Sequence, residues 1–180
     1  VNQVLDMAQG NHQAMSDFYQ TYGQSVFRIA WRMSGDSSMA EDITQEVFVK
    51  IWQKAHSYNA EKGTVASWVK SITANACIDK LRKKSELSNQ HQTVDALLSE
   101  SLSPEATAIN ENYSHYVQTA LMSLPERQRL AITLNIYCDA SNAEAGAIMS
   151  VSEQAVESLL ARARRSLSDL FERKQLTGLR

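Results

Sequence analysis

Apolar residues along this chain recur at three- and four-residue steps almost from end to end, the pattern of amphipathic helices. From Ser16 to Met33 the stripe is Phe18, Tyr22, Val26, Ile29, Ala30 and Met33, and Gly35-Asp36 interrupts it. Ser38-x-x-Glu41 has the form of a capping box and is expected to open the next helix. There Ile43, Val47, Ile51 and Ala55 repeat at four-residue intervals, and Asp42, Gln45, Glu46 and Val49 fall elsewhere on the surface. A loop from His56 to Gly63, with Tyr58 and Asn59, leads to a long helix predicted over Thr64 to Lys84. Val65, Val69, Ile72 and Ala76 form its buried stripe, Trp68, Asn75, Asp79 and Arg82 line another face, and the helix ends in KLRKK.

Ser85 to Ser103 breaks the pattern. It is rich in Ser, Asn, Gln and His and reads as a linker. Ser103-Pro104 has the form of a helix start, with Ser as N-cap and Pro at the first helical position. Ile109, Tyr113, Tyr116, Val117, Ala120, Leu121 and Leu124 supply that helix's apolar side, and Pro125 separates it from another over about Glu126 to Tyr137. Ser141-x-x-Glu144 is a second capping box, opening a short helix to Met149. Ser150-Val151-Ser152 turns into a last helix reaching about Lys174. The expected architecture is all-α: a helical domain over residues 1–84, a flexible linker over 85–103, and a second helical domain over 104–180.

Composition agrees. Six Gly and two Pro in 180 residues favour helices over a turn-rich β fold. The formal net charge is -2, so any surface for nucleic acid must be a local patch. Cys77 and Cys138 are far apart in helix-like sequence, which suits a reducing compartment, the cytoplasm, better than a disulfide scaffold. No run of about 18 apolar residues could span a membrane, and no direct membrane insertion is expected. The chain opens at Val1 rather than Met, which leaves room for a few trimmed residues, and no signal-peptide pattern opens it.

The two last helices, joined by about three residues, form a helix-turn-helix pattern, in which the second helix can enter the major groove of DNA. Val156, Leu159, Leu160, Ala163, Leu167 and Leu170 fit the inner side. Gln154, Ser158, Arg162 and Arg165 fall along the outer side, with Arg164 close by. Polar side chains read base edges and Arg holds phosphate or guanine. A solvated basic helix end fits this segment alone equally well. Lys80, Arg82, Lys83 and Lys84 likewise read as a solvated helix end or, beside Tyr58, Trp68 and Asn75, as a phosphate strip next to a stacking platform for single-stranded nucleic acid. Trp68 is equally compatible with a core position. Catalytic chemistry has little support: His12, His56, His91 and His115 lack metal-ligand spacing with each other or the cysteines, and no phosphate-cradling glycine loop occurs. Neither a catalytic residue, nor a metal, nor a cofactor is expected.

Three stretches together resemble one family. Ala40 to Trp52 (AEDITQEVFVKIW) is similar to the A-E-D-hydrophobic-x-Q-E-hydrophobic-F pattern of region two of the extracytoplasmic-function sigma factors. Trp68 to Arg82 (WVKSITANACIDKLR) is similar to that family's W-L-x-x-I-A-x-N-x-x-x-D-x-x-R. Leu124 to Arg129 (LPERQR), Ser141 to Glu144 (SNAE) and Ala155 to Arg164 (AVESLLARAR) resemble region four. The resemblance implies a promoter-specificity subunit of bacterial RNA polymerase. Asp42, Gln45, Glu46 and Val49 would sit on the clamp helices of the largest subunit, and the second domain near the flap. Tyr58, Trp68, Asn75 and Asp79 would meet the minus-ten element as its strands part, with Lys80, Arg82, Lys83 and Lys84 on its phosphates. Gln154, Ser158, Arg162, Arg164 and Arg165 would read the minus-thirty-five duplex. It also implies control by an anti-sigma factor, often membrane-bound, in response to stress.

The chain departs from the family where Ser150 stands in place of a frequent Gly, Ala145-Gly146 in place of a commoner Ile-Ala, and Glu157 and Leu159 in place of frequent basic residues. Ser150 is thus expected in a turn that favours Gly, and the helix before it to be thinly packed. Two alternatives fit parts of the chain: a helix-turn-helix regulator acting without polymerase, and a sigma mimic that only binds other proteins.

Overall fold

In the computed structural model, which describes residues 2–90 and 108–177, the described residues are helical with no strand. The chain divides into two compact units, Val1–Leu98 and Ser99–Arg180.

The first unit opens with a short helix α1, Asn2–Ala8, that the apolar pattern does not announce; it buries Val4 and Met7. Helix α2 runs over His12–Ser34, four residues earlier than its stripe implies, because Asn11 caps it: Asn11 Oδ1 accepts from the amides of Gln13 and Ala14 at 3.0 and 3.2 Å. Gly35, at φ 69°, ends it, its amide donating to Trp31 O at 2.8 Å. Helix α3, Ser37–Lys54, corrects the expected capping box. The N-cap is Asp36, whose carboxylate accepts from the Met39 amide at 3.0 Å; Ser38 is already inside the first turn. Asp36 is better placed because the left-handed Gly35 throws it into the extended conformation that an N-cap needs.

After two tight 3₁₀ turns, Ala55–Ser57 and Ala60–Lys62, helix α4 spans Val65–Gln90. Thr64 caps it through an Oγ1 that accepts from the Ser67 amide. It continues six residues beyond Lys84, into sequence whose composition reads as linker. No Gly or Pro stands between Gly63 and Pro104, so no local signal stops it. The rest of the expected linker and the Ser103-Pro104 start lie outside the described residues. Helices α2, α3 and α4 pack on one another. Phe18, Val26, Ile29, Ile43, Val47, Ile51, Val69 and Ala76 are buried, and Val65 is half-buried. His12 stacks on Trp52 with ring centroids 5.1 Å apart, fastening the start of α2 to the end of α3.

In the second unit, α5 runs over Ala108–Met122 and α6 over Glu126–Ile132. Ala120, Leu121 and Leu124 are buried, Tyr116 and Val117 are half-buried, and the Ile109 and Tyr113 side chains lie outside the described part. The helix expected to reach Tyr137 instead widens into a π-helical stretch, Thr133–Tyr137. The chain then folds back: the Ala140 amide donates to Leu134 O, and Asn135 Nδ2 to Ala140 O. Arg129 is enclosed between these helices, donating to Met122 Sδ, and burial lowers its pKa.

Helix α7, Asn142–Met149, starts with the expected capping box: Ser141 Oγ accepts from the Glu144 amide at 3.2 Å, and Glu144 accepts from the Ser141 amide at 2.9 Å. Ser150 follows at φ 55°, ψ 46°, occupying without glycine the left-handed turn that the sequence implies. Helix α8, Glu153–Thr177, then packs on α6 and α7 through Val156, Leu160 and Ala163. The packing before the turn is close rather than thin. A Cβ on Gly146 would lie 2.9 Å from Val151 O, and the Val151 amide donates to Gly146 O. The missing side chain is what lets the turn fold onto α7.

The two small residues therefore have opposite sensitivities. Ser150→Gly should stabilise the second unit by up to about 1 kcal/mol, relief of left-handed strain exceeding the added entropy of the unfolded chain. Gly146→Ala should destabilise it by roughly 1–3 kcal/mol, since backbone must move to admit the methyl group. All three tryptophans lie in the first unit. Urea unfolding followed by far-UV circular dichroism and by tryptophan fluorescence separates the units; only the former should shift.

Candidate nucleic-acid interface

Helix α3 presents the first candidate face. With Ile43, Val47 and Ile51 inward, helical geometry puts Asp42, Gln45, Glu46 and Val49 on the outer side. Asp42 and Gln45 are exposed, Glu46 is partly exposed, and Val49 is 55% exposed although apolar. Lys50 Nζ lies 2.7 Å from Glu46 Oε1. That hydrogen bond holds the Glu46 carboxyl below the ordinary glutamate value. Partial burial opposes the shift, and the charges of Lys50, Lys80 and Lys83 reinforce it. Beside this face, a groove between α2 and α3 is lined by Tyr19, Gly23, Gln24, Glu41 and Gln45 among others. Tyr19 is 52% exposed and leans on Phe48 with centroids 4.7 Å apart. The sequence reading missed it because Tyr19 directly follows Phe18, a core residue.

The second face belongs to α4 and the loop before it. Trp68 and Tyr58 are both half-buried and meet at 5.3 Å between centroids. Tyr58 Oη donates to Gly63 O at 3.0 Å, closing the loop on itself, and Asn59 Oδ1 accepts from the Glu61 amide at 2.8 Å. Trp68 is thus neither a core residue nor an open platform: it is the base on which the loop rests. Asn75 is exposed, and Asp79, one turn on, lies 3.4 Å from Arg82, whose Nε is 3.9 Å from Glu86.

The basic run at the end of α4 is not one strip. Arg82 continues the Trp68–Asn75–Asp79 line. Lys80 and Lys83 continue the register of Val69, Thr73 and Ala76, the buried side that packs on α3. Lys80 accordingly reaches α3, its Nζ 3.3 Å from Asp42 Oδ2. Lys84 is exposed.

On α8, Gln154, Ser158, Arg162 and Arg165 are all exposed, opposite the buried Val156, Leu160 and Ala163. Leu159, Leu167 and Leu170 are half-buried. Arg164 is exposed too, but it sits about 100° around the axis from that row, on the flank that carries Glu153 and Glu157. Among the described residues no group of His, Cys, Asp or Glu could hold a metal ion, and no helix is long and apolar enough to cross a membrane.

Both units match known sequence families. Residues 18–86 match sigma-70 region 2 and residues 114–167 match sigma-70 region 4. The chain is 33% identical over 161 residues to the ECF RNA polymerase sigma factor SigM of Bacillus subtilis, covering 88% of this chain and 96% of that one. This chain belongs to the extracytoplasmic-function sigma factors. SigE of Mycolicibacterium smegmatis is 30% identical over 90% of this sigma factor and 64% of its own length. The fold agrees with two solved structures, each 22% identical. CnrH in complex with the cytosolic domain of CnrY has a TM-score of 0.69 over 94% of this chain and 95% of that one. The sigma factor RpoE in complex with the anti-sigma factor NepR from Bartonella quintana has a TM-score of 0.70 over 87% and 97%.

The Glu46–Lys50 contact has a direct readout. A folded pKa below the unfolded one means that this carboxylate stabilises the fold at higher pH, and that the contribution disappears as pH falls through the depressed value. Carbon-detected NMR titration should place the Glu46 midpoint below the ordinary glutamate value, and Lys50→Met should move it upward. An unmoved midpoint would refute the hydrogen bond as the main cause.

Proposed function

We propose that this sigma factor directs core RNA polymerase to promoters through three surfaces, and that it acts by binding rather than by catalysis. One observation carries the reading: in the first unit an exposed acidic and amide stripe on α3 stands beside an aromatic and polar line on α4 that runs into basic residues. The two have opposite chemistry, as two different partners require. Asp42, Gln45, Glu46 and Val49 suit the basic clamp helices of the polymerase largest subunit. Val49 adds an apolar anchor of the kind an interface buries.

Asn75, Asp79 and the loop held by Tyr58 and Trp68 face the minus-ten element. A loop tied to Trp68 presents a fixed pocket edge to an unstacked base. Capturing that base offsets the few kcal/mol that unstacking costs, so strands open without nucleotide hydrolysis by the sigma factor. Arg82, Lys83 and Lys84, with Lys80, would hold the phosphates. On the second unit, Gln154, Ser158 and Arg162 would read the minus-thirty-five duplex, with Arg165 on backbone; Arg164 flanks the row beside two carboxylates. The second unit would dock near the polymerase flap. The two structural neighbours were solved with CnrY and with an anti-sigma factor. That supports an anti-sigma partner; membrane-bound or soluble, it would mask this chain's polymerase-facing surfaces. Such a factor works in the cytoplasm, where a stress signal would release it.

Transcription in vitro with core polymerase and a promoter library tests the proposal; absence of core binding would overturn it. Replacing Asp42 and Glu46 together should weaken core binding by roughly tenfold or more, measured by fluorescence anisotropy of labelled sigma factor. Asn75→Ala should reduce promoter opening by about tenfold, equivalent to ~1.4 kcal/mol, with closed-complex formation little changed; permanganate footprinting against filter binding separates the two. Arg162→Ala should lower the salt-dependence slope of duplex binding by about one phosphate contact.

A further inference from the structure

The ion pair between Asp42 and Lys80 joins residues assigned to different partners. The ion pairs Glu46–Lys50, Asp79–Arg82 and Arg82–Glu86 each run within one helix. Asp42–Lys80 bridges α3 and α4 at 3.3 Å, and both side chains remain reachable from solvent, 60% and 34% exposed. Lys80 reaches Asp42 because it extends the α3-facing register of α4 just past the last buried turn. Glu46 on α3 feels the charges of Lys80 and Lys83 as well as that of its own partner Lys50; Arg82 is engaged by Asp79 and Glu86 on its own helix.

We propose that Asp42–Lys80 is a coupling pair: a polymerase cation that takes Asp42 frees Lys80 for DNA phosphate, and a phosphate that takes Lys80 frees Asp42 for polymerase. The inference rests on the assignment of the α3 face to polymerase. Its physical content is competition. In the free protein each charge is already partly neutralised by the other, so either ligand must displace an internal partner. When both ligands bind, that displacement occurs once and serves both. Linkage then requires each to raise the other's affinity by the same factor. The pair is exposed, so the factor is small, about twofold to fivefold. A modest factor still biases the order of events, favouring DNA contact by sigma factor already on polymerase over contact by free sigma factor.

The test is a double-mutant cycle on the full chain, with purified bacterial core RNA polymerase as the probe and affinity read by anisotropy. The four proteins are the natural sequence, Asp42→Asn, Lys80→Gln and the double variant, each checked for folding by circular dichroism. Lys80→Gln should tighten core binding about twofold to fivefold while Asp42 is present, and should lose that effect in the Asp42→Asn background. The reciprocal readout uses a single-stranded minus-ten oligonucleotide at low salt without polymerase, where Asp42→Asn should tighten binding only while Lys80 is present. Unchanged core affinity in Lys80→Gln, or an equal gain in both backgrounds, overturns the coupling while leaving the polymerase face standing. Natural core affinity in Asp42→Asn would instead overturn the assignment of Asp42 to polymerase, and the coupling with it.

Discussion

The first unit depends on a single constraint: α3 must bury Ile43, Val47 and Ile51 against α2 and α4. Each such side chain contributes about 1.5–3 kcal/mol on burial, whereas an exposed ion pair on the same helix contributes about 0–1 kcal/mol. The core therefore sets the rotation of α3, and the polar residues take the positions left over. At 3.6 residues per turn those positions are fixed, so the acidic stripe points outward as a geometric consequence of the apolar one. The same holds on α4, where burial of Val69, Thr73 and Ala76 turns Asn75 outward and directs Lys80 toward α3.

The fold was legible where apolar periodicity was strong. The stripes of α2, α3 and α4, the capping box of α7 and the inner side of α8 all follow from spacing, and the family motifs place the same segments. What escaped was governed by terms weaker than a core stripe. Helix α1 has only two buried side chains in seven residues, too few to make a pattern. At the start of α3, Ser38 matches the capping-box form, but the left-handed Gly35 decides which residue is extended, and that makes Asp36 the cap. Helix α4 outruns the change to polar composition after Lys84 because neither Gly nor Pro interrupts it there. The π-helical stretch at Thr133–Tyr137 has no local signature separating it from α-helix.

The candidate sites were legible as sets of residues and less so as arrangements. Exposure of Asp42, Gln45, Asn75, Gln154, Ser158 and Arg162 agrees with the helical register read from the sequence. Spacing alone could not show that Tyr58 spends its hydroxyl on Gly63, or that Trp68 supports the loop from below. The basic run was the least transparent. Lys80, Arg82, Lys83 and Lys84 are adjacent in sequence, yet successive helix positions diverge by about 100°, so a run of like charges spreads over several faces. Arg164 shows the same divergence on α8.

The turn between α7 and α8 has a consequence for how such a protein can change over generations. Its shape is held by the left-handed backbone of Ser150, the close approach of Val151 to Gly146, and the Ser152 hydroxyl, which accepts from the Ala155 amide. None of the outward side chains of α8 takes part in it. Gln154, Ser158 and Arg162 can thus be exchanged with little effect on the angle at which the helix is offered. The outer row can change its chemistry while the turn beneath it keeps the same hydrogen bonds and the same close backbone approach.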